Sequence, residues 1–300
     1  MVSVVLCTYN GAAFINDQLM SICNQTYKDL EIIIVDDASS DATFEIAKQY
    51  ADRDDRIQLH RNERNLGFKD NFNKAVQLTS GAFIAFSDQD DIWHEDKISD
   101  LMQNWSQQSQ LIYCDSQRFS EKIPWDSSPK KNYRRFEGTD VRKLSVYNTI
   151  SGHAMMIKKE ILPMIFPVDE NIFYDWKAGV VAACNGGVTY LPKTLVFQRV
   201  HDNNISMGAG FHTKDEKSKL KFKKMIAAHT RDFSKIDSMQ KSDSLFMNNL
   251  SQLFTNSFIQ SFSLDLFIFL LKNRKIIFSY KKKAFPFFSH IKHSYRLAKS

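Results

Sequence analysis

The sequence predicts an α/β protein in which a mostly parallel central sheet is flanked by helices on both faces and followed by a helical, basic extension. Short unbroken apolar runs alternate with helix-period segments through the first half. That rhythm is the mark of a buried parallel sheet joined by crossover helices. The composition is that of an ordinary globular chain, with 300 residues, 43% hydrophobic, 25% charged, 10 Gly and 6 Pro. Collagenous, disordered and disulfide-scaffold classes are excluded, and the length supports one large domain or two modest ones. Charge divides unevenly. Residues 211–300 carry 18 Lys and Arg against 6 Asp and Glu, and residues 1–210 carry 22 against 28, giving net +12 and −6 within the overall +6.

Ser3–Thr8 is the first strand, and Ala12–Cys23 follows with Phe14, Gln18, Leu19 and Ile22 at helical spacing. Glu31–Val35 is a β-branched run ending at Asp36-Asp37. Ser39, Ser40 and Asp41 supply helix caps, and Thr43–Ala51 continues as a helix. Ile57–His60 is a short strand, Lys69–Thr79 a helix, and Ala82–Phe86 a strand ending at Ser87-Asp88-Gln89-Asp90-Asp91. Residues 120–148 are polar and rich in Lys and Arg, and read as a loop excursion. Residues 153–157 and 188–197 are further strands, with Asp175–Asn185 as a helix between them. Beyond about residue 208 the pattern changes, so the chain divides into residues 1–208 and a helical extension, 209–300. Residues 214–256 are helix-compatible, Ser257–Leu271 is apolar, and Lys272–Ser300 is basic and aromatic. No apolar window is long enough to span a bilayer, and the first residues show no signal-peptide pattern.

Cys7, Cys23, Cys114 and Cys184 form no CxxC pair, which argues against structural zinc. Cys7, Cys114 and Cys184 read as small buried hydrophobes in a reducing compartment.

The chemistry concentrates at strand ends, where open parallel sheets bind ligands. Asp36 and Asp37 end one strand, and Asp88, Asp90 and Asp91 end another. Apolar strands running into clustered carboxylates suit a hard divalent cation, with substrate phosphates as its remaining ligands. The bland alternative is helix caps and solvated turns. No GxxxxGK[ST] loop and no GxGxxG is present, so phosphate binding would run through a metal and basic side chains.

These residues form a recognisable set. Val4-Val5-Leu6-Cys7-Thr8-Tyr9-Asn10-Gly11, Gln25-Thr26-Tyr27 and Glu31–Asp41 resemble the opening of family 2 glycosyltransferases, which have the GT-A fold. Asn65-Leu66-Gly67 and Ser87–Trp93 match that family's next landmarks. Phe173-Tyr174-Asp175-Trp176 is similar to its His-Asp-Trp-Trp segment, and Arg199–Asn204 to its Arg-x-His-x-x-Asn segment. The resemblance covers residues 1–207.

The resemblance implies roles. Thr8, Tyr9, Asn10, Asp36, Asp37 and Asn65 would contact a nucleotide-sugar donor. Asp88 and Asp90 would be the metal-linked acids at its diphosphate, with Mg²⁺ or Mn²⁺. Arg199 and His201 would lie near the diphosphate or metal, with His201 as a further ligand. Asp175 would be the general base toward the acceptor hydroxyl, and transfer would invert the anomeric carbon. His153, after Ser151-Gly152, would face the acceptor. Trp93 and Trp176 read first as packing residues, with acceptor-side stacking as the second reading. Taken alone, Asp175 would be a helix cap and His201 an ordinary surface or core histidine. Two departures stand out: Tyr174 where His is usual, and Lys177 where a second aromatic is usual.

Lys281-Lys282-Lys283 with Phe285, Phe287, Phe288 and Tyr295 reads as an interfacial segment attracted to anionic lipid. A helical extension packed on the core, or on a second subunit in a homodimer, explains it equally. No nucleic-acid-binding signature is present. The expectation is therefore a cytoplasmic enzyme peripheral to the inner face of the plasma membrane. It would be a metal-dependent inverting glycosyltransferase, moving a sugar from a UDP- or dTDP-sugar to a saccharide or lipid-linked saccharide of a surface polysaccharide such as O-antigen or capsule. The rhamnosyltransferase-like variant of the motif points to dTDP-rhamnose and leaves UDP-hexoses open. The alternatives are a non-catalytic glycan- or partner-binding protein on the same scaffold, and a sugar-1-phosphate nucleotidyltransferase. The latter needs a Gly-rich basic loop that residues 8–14 lack.

Overall fold

The structure is a computed structural model that describes all residues except 127, 130–132, 170, 202–215, 282–285 and 300. The strands are β1 (Val2–Thr8), β2 (Leu30–Asp36), β3 (Ile57–Arg61), β4 (Phe83–Ser87), β5 (Asp91–Trp93), β6 (Leu111–Phe119), β7 (Met155–Lys158) and β8 (Val188–Arg199). Among the described residues they form one sheet in the order β3-β2-β1-β4-β7-β6-β8-β5. The first half is wholly parallel. The second half is mixed: β7 runs antiparallel to β4 and β6, β8 runs parallel to β6, and β5 runs antiparallel to β8.

Helices α1 (Ile15–Cys23), α2 (Thr43–Ala51), α3 (Phe68–Gln77), α4 (Lys97–Gln103), α5 (Leu162–Ile165) and α6 (Tyr174–Cys184) belong to this sheet. The period-2 alternation of β1 and β2 sorts the core into two layers. Val4, Leu6, Ile32 and Ile34 pack with Ile15, Leu19 and Ile22 of α1. Val5, Ile33 and Val35 pack with Phe72 and Val76 of α3 and Val180 of α6. All these strand residues are buried, which is why their runs read as unbroken apolar sequence.

The C-terminal helices are α7 (Glu216–Phe233), α8 (Lys241–Asn256), α9 (Leu264–Lys272), α10 (Arg274–Ile277) and α11 (Pro286–Ala298). They share an apolar cluster of Ile226, Leu250, Phe254, Leu266, Leu270, Ile277, Phe278 and Leu297. Phe233, Met239 and Met247 reach instead into the core layer under the sheet. No helix among the described residues is long and apolar enough to cross a membrane.

Three local expectations change. Strand β6 and helix α4 had no clear sequence signal, because β6 is apolar only over Leu111–Cys114 and then turns polar. Its Asp115 is nevertheless fully buried, accepting bonds from Arg135 Nε at 2.6 Å and the Tyr190 hydroxyl at 2.7 Å. The excursion 120–148 is anchored, since Phe136, Val141, Leu144 and Val146 are buried and Arg134 N–H donates to the Tyr280 carbonyl at 2.8 Å. Of the cysteines expected to be buried, Cys114 is, whereas Cys7 and Cys184 are half-buried; all four are free thiols.

Candidate active site

The carboxyl ends of β1, β2 and β4 meet at one edge of the sheet. Asp36, the last residue of β2, is fully buried. It accepts from Thr8 Oγ1 at 3.1 Å and from Ser39 N–H and Oγ at 3.0 and 2.5 Å, and Arg61 Nε lies 3.5 Å away. Asp37 accepts from Asn62 Nδ2 and from the backbone N–H groups of Leu66 and Gly67, at 2.7, 2.8 and 2.9 Å. It thereby pins the Asn65-Leu66-Gly67 turn to β2, and Gly67 supplies the φ of 86° there. Thr8, Asp36 and Asp37 therefore form a buried frame, while Tyr9, Asn10 and Asn65 are exposed at its rim. Asn10 adopts φ 46°, a conformation asparagine tolerates, and its Oδ1 accepts from Ser40 N–H at 2.9 Å.

The acidic loop after β4 is tied to this rim by Gln89, which had no assigned role in the sequence. Its side-chain amide accepts from Tyr9 N–H and donates to the Tyr9 carbonyl, both at 2.9 Å. The same side chain crosses Gly11, where a Cβ would meet Gln89 Oε1. A side chain at position 11 would displace the Gln89 amide from Tyr9.

Two carboxylate–histidine groups follow. His153 Nδ1 lies 3.3 Å from Asp88 Oδ2 and 3.5 Å from Asp91 Oδ2. His201 Nε2 lies 2.7 Å from Asp90 Oδ2, with its ring stacked on Phe14 at 4.5 Å. Arg199 donates to Asp17 Oδ2 at 2.8 Å, with its guanidinium between the rings of Phe14 and Phe119. Asp91 is 1% exposed and neither of its oxygens accepts a hydrogen bond among the described residues. Burial, with Asp88 and Asp90 nearby, pushes its pKa up to about 8 against the pull of His153. Beneath it the fully buried Lys97 ammonium donates to the His153 carbonyl at 2.7 Å and sits 3.3 Å from the Trp93 ring centroid. Burial lowers its pKa to about 7.

Asp175 stands in the first turn of α6, where a helix N-terminus favours negative charge. Its Oδ1 accepts from Trp176 N–H at 2.7 Å, and Gly152 N–H also donates to the carboxylate. Burial dominates over these bonds and raises its pKa to about 6. Tyr174 lies in an aromatic cluster with Phe72, Phe86 and Phe166, which accounts for an aromatic residue other than His at that position. Its hydroxyl crowds Gly152, where a Cβ would collide with it. Lys177 faces Asp232 of α7 at 3.9 Å, so a cation serves there.

Some expected groupings are redrawn. His153, expected on the acceptor side, sits with the acids. Asp90 and His201 pair with each other, and Asp88 groups with Asp91 instead. Trp93 and Trp176 are buried, Trp176 donating from Nε1 to the Leu144 carbonyl, so neither ring offers a face to a sugar. Asp202, Asn203 and Asn204 of the second-half motif lie outside the described residues, as does the 208/209 boundary. Gln89 and Lys97 had no role assigned from the sequence, and Asp91 was named among the strand-end acids but not in the ligand set that the resemblance implied. The one available signal was Asp91 in the acidic run. A divalent cation fits this site. Asp88, Asp91 and His153 offer ligand atoms all within 4.8 Å of one another. The unbonded, buried oxygens of Asp91 are hard donors of the kind Mg²⁺ and Mn²⁺ take.

An acidic cluster with a histidine at the carboxyl ends of such a sheet fits an enzyme that handles a phosphate-bearing ligand through a divalent cation, and comparison with known proteins supplies the class. The family model described as Glycosyl transferase family 2 matches residues 3–166. The UDP-Glc:alpha-D-GlcNAc-diphosphoundecaprenol beta-1,3-glucosyltransferase WfaP of Escherichia coli is 33% identical over 212 residues, covering 69% of this chain and 80% of WfaP. Among solved structures, S. aureus TarS 1-349 in complex with UDP-GlcNAc superposes with a TM-score of 0.62 at 17% identity, covering 98% of this chain and 89% of that one. The mannosyltransferase PcManGT from Pyrobaculum calidifontis, in complex with GDP-Man and Mn2+, superposes at 0.57 with 16% identity, covering 99% and 84%. The chain belongs to glycosyl transferase family 2 and is a glycosyltransferase.

Proposed function

We propose that this enzyme moves a sugar from a nucleotide-sugar donor to a hydroxyl of a lipid-linked saccharide, by a single inverting displacement, in bacterial surface polysaccharide assembly. The observation that carries this reading is the Asp175 carboxylate, half-buried at a helix N-terminus beside the Asp88–Asp91–His153 group. In the proposed reaction Asp175 takes the proton of the acceptor hydroxyl. The acceptor oxygen bonds to the anomeric carbon as the bond from that carbon to the phosphate oxygen breaks, and the nucleoside diphosphate leaves. One base and one displacement invert the centre, without the second carboxylate of a double-displacement enzyme. Asp88, Asp91 and His153, with Asp90 and His201 adjoining, would hold Mg²⁺ or Mn²⁺, which neutralises charge developing on the leaving diphosphate. Tyr9, Asn10 and Asn65 would meet the nucleoside, framed by Thr8, Asp36 and Asp37. Arg199 would adjoin the diphosphate.

A UDP-sugar is favoured by WfaP, whose name specifies UDP-Glc, and dTDP-rhamnose is the competing donor. The test is release of nucleoside diphosphate from UDP-glucose, UDP-N-acetylglucosamine and dTDP-rhamnose with Mn²⁺, with and without a polyprenyl-diphosphate N-acetylglucosamine acceptor. Acceptor-stimulated release from one donor, with inverted product, supports the reading. No release from any of these donors by folded protein overturns this assignment of donor and acceptor.

The extension 209–300 would hold the enzyme at an anionic phospholipid surface. Phe287 and Phe288 are 51% and 74% exposed, and Arg274 lies over the Phe287 ring at 5.3 Å. Lys282, Lys283 and Phe285 of this segment lie outside the described residues. Wild type is expected to co-sediment with phosphatidylglycerol-containing vesicles and not with pure phosphatidylcholine, and Phe287→Ser/Phe288→Ser to stay in solution. Equal behaviour of wild type and variant would remove the membrane role.

A further inference from the structure

The helix that carries Asp175 is held from outside the sheet. Three contacts join α6 to α7 and the turn after it. At the start of α6, Phe173 N–H donates to His229 Nε2 at 2.9 Å. Along it, Lys177 faces Asp232 at 3.9 Å. At its end, Asn185 Nδ2 donates to Ser238 Oγ at 2.9 Å. His229 is fully buried and both ring nitrogens are used, since Nδ1 pairs with the Met225 carbonyl at 2.9 Å. A carbonyl can only accept, so Nδ1 carries the proton and Nε2 is left as the acceptor that Phe173 needs. The ring is wedged against Trp176 at 4.6 Å and Phe173 at 5.3 Å, with Phe233 edge-on at 5.7 Å.

Phe173 is the residue before the first helical turn, and its own side chain makes no capping bond there. The two residues packed on the imidazole therefore flank Tyr174-Asp175, one on each side. We propose that His229 is a positioning residue for the reaction, fixing the first turn of α6 so that the Asp175 carboxylate faces the acceptor. The C-terminal region then completes the catalytic centre, in addition to any surface it binds. This inference rests on Asp175 being the base. Burial keeps the imidazole neutral, lowering its pKa to about 4, as an acceptor nitrogen at Nε2 requires.

The test uses the full chain and two substitutions. His229→Phe keeps an aromatic ring in the pocket and removes the acceptor for Phe173 N–H. His229→Gln puts an amide oxygen where Nε2 lies. Turnover of the active donor found in the panel above is measured with KM for that donor, together with amide hydrogen exchange of the segment 171–177. His229→Phe is expected to lower kcat by about 10- to 100-fold, the scale of a small misplacement of a catalytic group. Donor KM should hold within about 2-fold, exchange at 171–177 should quicken, and His229→Gln should recover most of the rate. Full kcat in folded His229→Phe, or equal loss of kcat and donor affinity in both variants, overturns the proposal. Asp175→Asn separates the two readings. If it keeps its rate, the base assignment fails; if it loses its rate while His229→Phe does not, only the positioning role fails. If no donor turns over, exchange at 171–177 decides alone: unchanged exchange in His229→Phe overturns the anchoring.

Discussion

Asp175→Asn is expected to abolish transfer while leaving the fold and nucleotide binding intact. Loss of a positioned general base costs about 10²- to 10⁴-fold in kcat. Asn keeps an acceptor oxygen for Trp176 N–H, so the first turn of α6 is held while the proton acceptor is lost. In wild type, the rate should rise with pH through about 6, because the carboxyl must shed its proton before it can act. The asparagine variant should lack that limb. The stability effect runs the other way. Folding raises the Asp175 pKa from 3.8 to about 6, so the native state binds the proton more tightly. That contribution is fully present below the unfolded value and is lost as pH rises through the folded one. The ionised carboxylate is thus a burden on the order of 3 kcal/mol at neutral pH. Asp175→Asn should melt higher than wild type at pH 7.5, with the gap closing near pH 4. Retained turnover, or an acid limb that persists in the variant, would sink the base assignment.

Chelation of divalent metal is the second large effect expected. Asp88, Asp91 and His153 lie within one ion's reach, and Asp91 spends no hydrogen bond on the protein. EDTA should suppress both turnover and UDP binding, and Mn²⁺ should restore them. Mn²⁺ at about 100 times its dissociation constant should stabilise the native state by about 2.7 kcal/mol, seen as a rise in Tm. Asp88→Ala should lose that rise and lose metal-dependent UDP binding in calorimetry, with turnover down by at least about 100-fold. UDP binding of equal strength with and without metal would contradict the assignment.

The legible parts of this protein are those with local causes. Val4–Leu6 and Ile32–Val35 are buried on both faces, so each strand had to be written as an unbroken apolar run. Asp36, Asp37 and Asp88–Asp91 follow such runs directly, which put the acidic edge on view. Strand β6 escaped because its outer half is polar and its Asp115 is neutralised by Arg135 and Tyr190, distant in sequence. The excursion 120–148 misled for a similar reason: its few apolar residues are spaced without period and are buried by different neighbours.

Which acid meets which histidine is a different kind of fact. Asp91 and Asp88 meet His153, and Asp90 meets His201, because β7 lies beside β4 and β8 beside β5, and the acidic loop from Asp88 to Asp91 runs between those two pairs. The resemblance named Asp88, Asp90 and His201 together, and nothing in residue spacing could have sorted the pairs. The anchoring of the Asp175 helix by His229 is equally invisible in sequence, since a histidine within a basic helix has no local mark of its partner. The sequence by itself determined the alternation of strands and helices and the acidic strand ends, because each depends on near neighbours and on burial period, while the base candidate came from the family resemblance. Only the tertiary structure decided the metal-compatible grouping, the buried Lys97 beneath it and the brace on α6, because each needs groups brought together by strand order and by the docking of α7.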